Sequence, residues 1–251
     1  MTLTKIVVAG AAGRMGQRII ANLLNDPTAS LVGAIEVPGH QAIGKDPGRM
    51  TGVGTSGVAV TDLLEETLSS GDVLIDFSHP SATLPNLNAA AKLKKGVVVG
   101  TTGHTTEQRQ EMEKIASKIP IVLAPNMSVG VNVMWKALAV ATPPLASTSK
   151  ISVVETHHVH KKDAPSGTAL EIERVLKRAL GDRPSEIEIK SIREGEVVGD
   201  HTVTFDSPEE TITITHHAKT RDTFAVGAIR AARWVKGKPA GLYTMQDVLG
   251  L

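Results

Sequence analysis

Apolar residues along this chain follow two rhythms, and the change between them falls near residue 127. In the first half, short β-branched runs alternate with stretches of helical spacing. Lys5 to Ala9 reads as a buried strand, and Met15, Ile19, Ile20, Leu23 and Leu24 recur at the spacing of one helix face. Leu31 to Glu36 is a second strand, Asp62 to Leu68 a short helix, Val73 to Phe77 a strand, Ala82 to Leu93 a helix and Val97 to Val99 a strand. Thr105 and Gln108 have capping-box spacing for a helix to about Lys118, and Pro120 precedes a strand from Ile121 to Leu123. Strands alternating with helices predict a parallel, doubly wound sheet.

Beyond residue 127 consecutive strands take over. Val129 to Ala141 predicts a helix that Pro143-Pro144 breaks. A strand starts at Ile151, and Thr168 to Leu180 forms a helix closed by Gly181. Ile187 to Ile192, His201 to Phe205 and Thr211 to Thr215 alternate like strands, the last two as a hairpin. The expected architecture is α/β: a Rossmann-type doubly wound sheet over residues 1–126, and an α+β domain over 127–228 for substrate binding and oligomerisation. Residues 229–251 are expected to return to the first domain as helix and loop.

Composition narrows the function. The chain has 251 residues, three Phe, two Trp and one Tyr, so Val, Ile, Leu and Ala must fill the core. Its 27 basic and 26 acidic residues leave a net charge of +1 without a long run of one sign, which argues against nucleic acid as a partner. Cysteine is absent, so disulfides, thiolate metal sites and a cysteine nucleophile are excluded. No run of about 18 apolar residues suggests a membrane span, and the start of the chain lacks a signal-peptide pattern; a cytoplasmic protein is expected.

The first strand feeds Gly10-Ala11-Ala12-Gly13-Arg14-Met15-Gly16. A strand, a glycine turn and a helix in succession turn backbone N–H groups and the helix N-terminus towards a pyrophosphate. The spacing is Gly-x-x-Gly-x-x-Gly, a weak motif taken alone, and a helix start needing small residues explains it equally well. Context favours the nucleotide: Glu36 lies 20 residues after Gly16, where an acid that bonds the ribose hydroxyls is expected. Gly100-Thr101-Thr102-Gly103 and Ala124-Pro125-Asn126-Met127 follow two further strands and so share the carboxyl rim with Gly10 to Gly16 and Glu36. The residue after Glu36 is Val37, not a basic residue suited to a 2′-phosphate, although His40, Lys45 and Arg49 follow in the next loop. The cofactor is NADH or NADPH.

Thr156 to Thr168 reads Thr-His-His-Val-His-Lys-Lys-Asp-Ala-Pro-Ser-Gly-Thr and holds three of the nine histidines. If the strand runs on, His157, Val159 and Lys161 share one side, and His158 and His160 the other. No metal is expected, because the chain lacks cysteine and a His-Glu-x-x-His helix, and the lysines repel a cation. A polar, solvated edge strand is the plain alternative. The continuation favours an anion site: Thr168-Ala-Leu-Glu171 has capping-box spacing, and the amides of Gly167 and Thr168 with the helix dipole would hold a carboxylate. Histidine and lysine beside a bound acid also move protons.

With these motifs, Ile192-Arg-Glu-Gly, Gly199-Asp-His-Thr-Val-Thr-Phe, Phe224 to Arg230 and Gly241 to Leu249, nearly the whole chain resembles the 4-hydroxy-tetrahydrodipicolinate reductase (dihydrodipicolinate reductase) family of lysine and diaminopimelate biosynthesis. The resemblance implies that His157 is a proton donor or acceptor and Lys161 a proton donor. It implies that His158, Gly167 and Thr168 hold a small dicarboxylate substrate. Gly10, Ala11, Ala12, Gly13, Arg14, Met15, Glu36, Gly100, Thr101, Thr102, Ala124, Pro125, Asn126 and Met127 match its cofactor contacts. A homotetramer built through the second domain is implied as well. Some members carry Arg after the ribose-binding acid, and Val37 departs from them. A Rossmann dehydrogenase for another small carboxylic acid or semialdehyde is the competing enzyme; a nucleotide-sensing binding protein leaves the His-Lys stretch unexplained.

Overall fold

The computed structural model describes residues 3–183 and 186–251 and divides into two compact units. The first comprises residues 1–127 and 224–250, the second 128–223 with Leu251.

In the first unit β1 (Thr4–Ala9), β2 (Ala29–Ile35), β3 (Val60–Thr61), β4 (Val73–Asp76), β5 (Gly96–Val99), β6 (Pro120–Leu123) and β11 (Gly241–Tyr243) form one sheet. Their order is β11-β6-β5-β4-β1-β2-β3, and all the pairings are parallel. Alternation along each strand supplies both faces. Ile6, Val8, Ile75, Val98 and Val122 pack with Ile19, Ile20 and Leu23 of α1 (Arg14–Leu23) and with Ala228, Ile229 and Ala232 of α8 (Asp222–Val235). Val7, Leu74, Val97 and Ile121 pack on the other side with Leu87 and Ala90 of α4 (Pro80–Lys92) and Met112 and Ile115 of α5 (Thr106–Ala116). The expected capping box opens α5: Gln108 N–H donates to Thr105 Oγ1 at 3.2 Å and Thr105 N–H to Gln108 Oε1 at 2.9 Å.

The C-terminal segment corrects the sequence reading. It returns as α8, then as the strand β11 and the short helix α9 (Met245–Leu249), whereas helix and loop were expected. Three residues carry too little periodicity to mark a strand, and β11 exists because Leu242 pairs with Ile121 of β6. β3 and the four-residue α2 (Pro47–Met50) escape notice for the same reason.

The second unit has a four-stranded sheet, β10-β9-β7-β8, from β7 (Lys150–His157), β8 (Ile187–Arg193), β9 (Asp200–Asp206) and β10 (Thr211–His217). β7 pairs parallel with β8 and antiparallel with β9, and β9 with β10 forms the expected hairpin. Helices α6 (Val129–Leu145) and α7 (Gly167–Leu180) bury Trp135, Leu138, Ile172 and Leu176 against Ile151, Val153, Val203 and Phe205.

Pro143 and Pro144 do not end α6, contrary to expectation; they lie inside its last turn. The two N–H groups they remove would have bonded the carbonyls of Ala139 and Val140, and both of those residues are exposed. The turn is held instead by Thr142, whose hydroxyl donates to Leu138 O at 2.7 Å and whose carbonyl accepts from Ala146 N–H at 3.0 Å.

Candidate active site

The first unit presents its glycine turn at the carboxyl end of β1. Gly10 has φ +76°, and a Cβ there would fall 2.3 Å from the carbonyl oxygen of Phe77; at Gly16 it would lie 2.0 Å from the carbonyl of Gly10. The turn is therefore wound closely against β4 and α1, which side chains would prevent. Gly13 is exposed and begins α1 as its N-cap, and a Cβ there would have only the Gly10 carbonyl near it, at 3.1 Å. Glu36 reaches back to this turn: Oε1 accepts Ala12 N–H at 2.8 Å and Oε2 accepts Val37 N–H at 3.2 Å.

A cleft of about 270 Å³ opens here. Gly10, Ala12, Gly13 and Glu36 line it, with Val37 and His40 on the β2 side and Phe77, Ser78, His79 and Ala82 after β4. A glycine turn, a helix N-terminus and an acid at the end of the second strand suit the pyrophosphate and ribose of a dinucleotide. Arg14 is exposed and Met15 half-buried against the core, as the first residues of α1.

The remaining predicted positions occupy the same rim farther along. Gly100, Thr101 and Thr102 follow β5, and Ala124, Pro125, Asn126 and Met127 follow β6. Ala11, Ala124 and Met127 are packed in the core, so any contact they offer a ligand is through backbone. Asp76, fully buried at the end of β4, was missed by the sequence reading. Its Oδ1 accepts from the Thr101 hydroxyl at 3.1 Å and from Ser78 N–H at 3.0 Å, fixing two rim loops together. An acid closing an otherwise apolar strand was the available signal.

In the second unit the helix-covered face of the sheet turns polar at one end. Ile151, Val153, Glu155 and His157 all point to that face of β7, and Phe205, Val203 and His201 oppose the first three on β9. Glu155 is wholly buried and His157 and His201 nearly so. His157 Nδ1 and Glu155 Oε2 share a hydrogen bond of 2.5 Å. Arg193, at the end of β8, gives Nη2–H to Glu155 Oε1 at 2.9 Å and neutralises the buried charge. The His157 and His201 rings meet edge to face, 5.2 Å between centroids.

β7 ends at His157, so the predicted alternation through Lys161 does not apply; residues 158–166 form a turn. His158 N–H donates to Val197 O at 2.7 Å, and its buried Nδ1 has no hydrogen-bond partner among the described residues. Lys161 Nζ donates to Asp163 at 2.8 Å, and Arg193 ties the turn down through the carbonyls of Lys161 and Asp163 at 3.3 and 2.5 Å. The turn delivers the chain to α7. Its N-cap is Ser166, whose Oγ accepts Ala169 N–H at 3.1 Å, and not the expected box of Thr168 with Glu171. Gly167 and Thr168 are thus the first two helical residues, and a Cβ on Gly167 would meet nothing within 4 Å.

Burial sets the charge states. It opposes ionisation of Glu155, but hydrogen bonds from Arg193, Ser191 and His157 outweigh it and hold the carboxyl below its ordinary range. Burial lowers His157, against the pull of Glu155, and drives His201 down to about 3. At neutral pH both imidazoles are uncharged. Burial also works against the Asp163 charge, yet the Lys161 hydrogen bond keeps it ionised to lower pH than usual.

Comparison with known proteins now decides the family. The sequence models for the N-terminus and the C-terminus of dihydrodipicolinate reductase match residues 4–127 and 130–249. The chain belongs to the dihydrodipicolinate reductase family. A 4-hydroxy-tetrahydrodipicolinate reductase of Geobacter sulfurreducens is 46% identical over 99% of this chain and all of that protein. One of Syntrophotalea carbinolica is 43% identical with the same coverage. A solved dipicolinate-bound dihydrodipicolinate reductase from Paenisporosarcina sp. TG-14 superposes with a TM-score of 0.79 at 23% identity, covering 98% of this chain and 99% of that one. An amine dehydrogenase from Mycobacterium smegmatis shares the fold at a TM-score of 0.71 and 15% identity over 98% and 95% of the two chains. The chain is an oxidoreductase of this family, reducing 4-hydroxy-tetrahydrodipicolinate with a nicotinamide cofactor in lysine and diaminopimelate biosynthesis. No helix among the described residues is long and apolar enough to cross a membrane.

Proposed function

We propose that His157 and Lys161 handle the proton of this reduction, that His158, Gly167 and Thr168 hold the substrate, and that the rim from Gly10 to Met127 holds the cofactor. The observation that supports this reading most is the buried His157–Glu155 pair beside a lysine-bearing turn that ends in a helix N-terminus. A dicarboxylate needs cations and helix amides together, and dipicolinate, the ligand of the Paenisporosarcina reductase, carries two carboxylates on one ring.

Loss of the ring hydroxyl as water, together with a proton from the neighbouring ring carbon, leaves a carbon–carbon double bond. A bound nicotinamide would supply hydride to the carbon that carried the hydroxyl, and the neighbouring carbon would take a proton back. Lys161, held by Asp163, is the cationic donor. His157 is neutral with Nδ1 bonded to Glu155, which leaves Nε2 as the atom that exchanges protons. At the cofactor rim, the N-terminus of α1 receives the pyrophosphate over the turn from Ala11 to Gly13, whose own amides bond Ile35, Glu36 and Gly10, and Glu36 accepts the ribose hydroxyls.

NADH fits this rim at least as well as NADPH, since an acid followed by Val37 offers a 2′-phosphate no adjacent cation. A homotetramer built on the second unit agrees with its outer surface, where Ile212 of the edge strand β10 and Val133 and Val140 of α6 are exposed. A cytoplasmic setting agrees with a demand for reduced dinucleotide.

The test is a steady-state assay of the purified protein with 4-hydroxy-tetrahydrodipicolinate and each reduced cofactor. Substrate-dependent oxidation of NADH is expected. Binding of NADH without turnover would refute the reading.

A further inference from the structure

We infer that Glu155 is the positioning residue of the proton-handling site, fixing the tautomer of His157 and tying that imidazole to the N-terminus of α7. The inference rests on the reading of His157 as a proton-handling group and adds a residue that this reading does not contain.

The geometry assigns one task to each carboxylate oxygen. Oε2 faces His157 Nδ1 at 2.5 Å, and the Ser191 side chain adds a further hydrogen bond to the carboxylate. Oε1 accepts from Arg193 Nη2 at 2.9 Å and from the backbone N–H of Ser166 at 3.2 Å. Ser166 is the N-cap of α7, so one buried carboxylate sets both the ring that exchanges protons and the start of the helix proposed to hold the substrate. An ionised carboxylate only accepts; the imidazole facing it must carry its proton on Nδ1 and present Nε2 unprotonated. The backbone makes room for that outcome, since a Cβ at Gly199 would stand 2.9 Å from Nε2. A carboxylate kept for fold stability alone has no need of the imidazole, because Arg193 already compensates its charge.

The charged and titratable groups around the ring come from four elements: Glu155 on β7, Arg193 at the end of β8, His201 on β9 and Lys161 in the turn. Only Glu155 favours the protonated ring among them. Replacing it by glutamine keeps its size but reverses one contact. Arg193 and Ser166 both donate, so the amide oxygen must stay with them, and the amide NH₂ then faces Nδ1 donor to donor. The ring relieves this by shifting its proton to Nε2, the wrong nitrogen for accepting one.

The experiment labels histidine ring nitrogens with ¹⁵N and reads the His157 tautomer by NMR in the wild-type protein and in Glu155→Gln, with His157→Asn assigning the signal. Expected are an Nδ1–H tautomer in the wild type and an Nε2–H tautomer in the variant. The variant should also lose about 10²-fold in kcat, with the KM for NADH within about twofold and the acid limb of its pH profile at lower pH. An Nε2–H tautomer in the wild type overturns the inference even if the variant does not fold. An unchanged tautomer, or wild-type kcat with a shifted tautomer, overturns it too. Failure of the underlying reading shows separately, as normal turnover in His157→Asn.

Discussion

Glu36 Oε1 accepts the amide of Ala12 at 2.8 Å, so the end of β2 is bonded to the glycine turn that follows β1. The carboxylate is thereby fixed at the cleft, and Val37 beside it is 54% exposed and uncharged. A 2′-phosphate here would meet an acid first. NADH should therefore give the higher kcat/KM, and Val37→Arg, which adds a bidentate phosphate partner, should raise the NADPH value by about tenfold, roughly 1.4 kcal/mol. Initial rates with both cofactors decide it; an unchanged ratio in the variant would refute the assignment of this loop.

Gly10 and Gly13 serve the turn differently, and their variants should separate fold from binding. Gly10→Ala forces a Cβ against the Phe77 carbonyl at positive φ and should cost about 1–3 kcal/mol of stability by urea denaturation. Gly13→Asp places a carboxylate at an exposed helix N-cap where a pyrophosphate is proposed to sit. It should keep the fold and lose NADH binding by calorimetry; tight binding would contradict the proposed site.

Removal of the proton-handling groups should leave the cofactor in place. Lys161→Ala and His157→Ala are each expected to lower kcat by about 10²-fold or more while the Kd for NADH is preserved. Near-normal turnover in Lys161→Ala would rule the lysine out as donor.

His201 predicts how stability follows pH. Its folded pKa of about 3 lies below the ordinary 6.5, so the unfolded chain takes up its proton first as pH falls. The stabilisation is complete above about pH 6.5 and is lost progressively towards pH 3, on the order of 1 kcal/mol per pH unit. Glu155, also lowered, adds its own loss once the pH falls below its ordinary range. Urea midpoints at pH 7.5 and 5 should differ in the wild type and differ less in His201→Gln; equal midpoints in the wild type would contradict a buried neutral imidazole.

Sequence by itself determined the parts whose cause is local. Runs such as Lys5 to Ala9 and Val97 to Val99 have one reading because β-branched residues without polar interruption suit a strand buried on both faces. Glycine turns, the Thr105–Gln108 cap and the Gly181 stop act within one helical turn, so their residues sit close together in the chain. His157 and Lys161 stood out for the same reason, four residues apart in a stretch dense in proton-carrying side chains.

Tertiary structure alone decided what depends on pairing between distant segments. β11 is a strand because β6 offers it an edge, and α6 runs through Pro143-Pro144 where Ala139 and Val140, the residues one turn back, are exposed. Above all, Arg193 and His201 reach Glu155 and His157 across sheet pairings, His157 with Arg193 and Glu155 with His201, that bring together residues 36 and 46 positions apart. Sequence spacing could place Glu155 on the face of His157; only the register of β7 between β8 and β9 could surround the pair with a guanidinium and a second imidazole, and so set its charge.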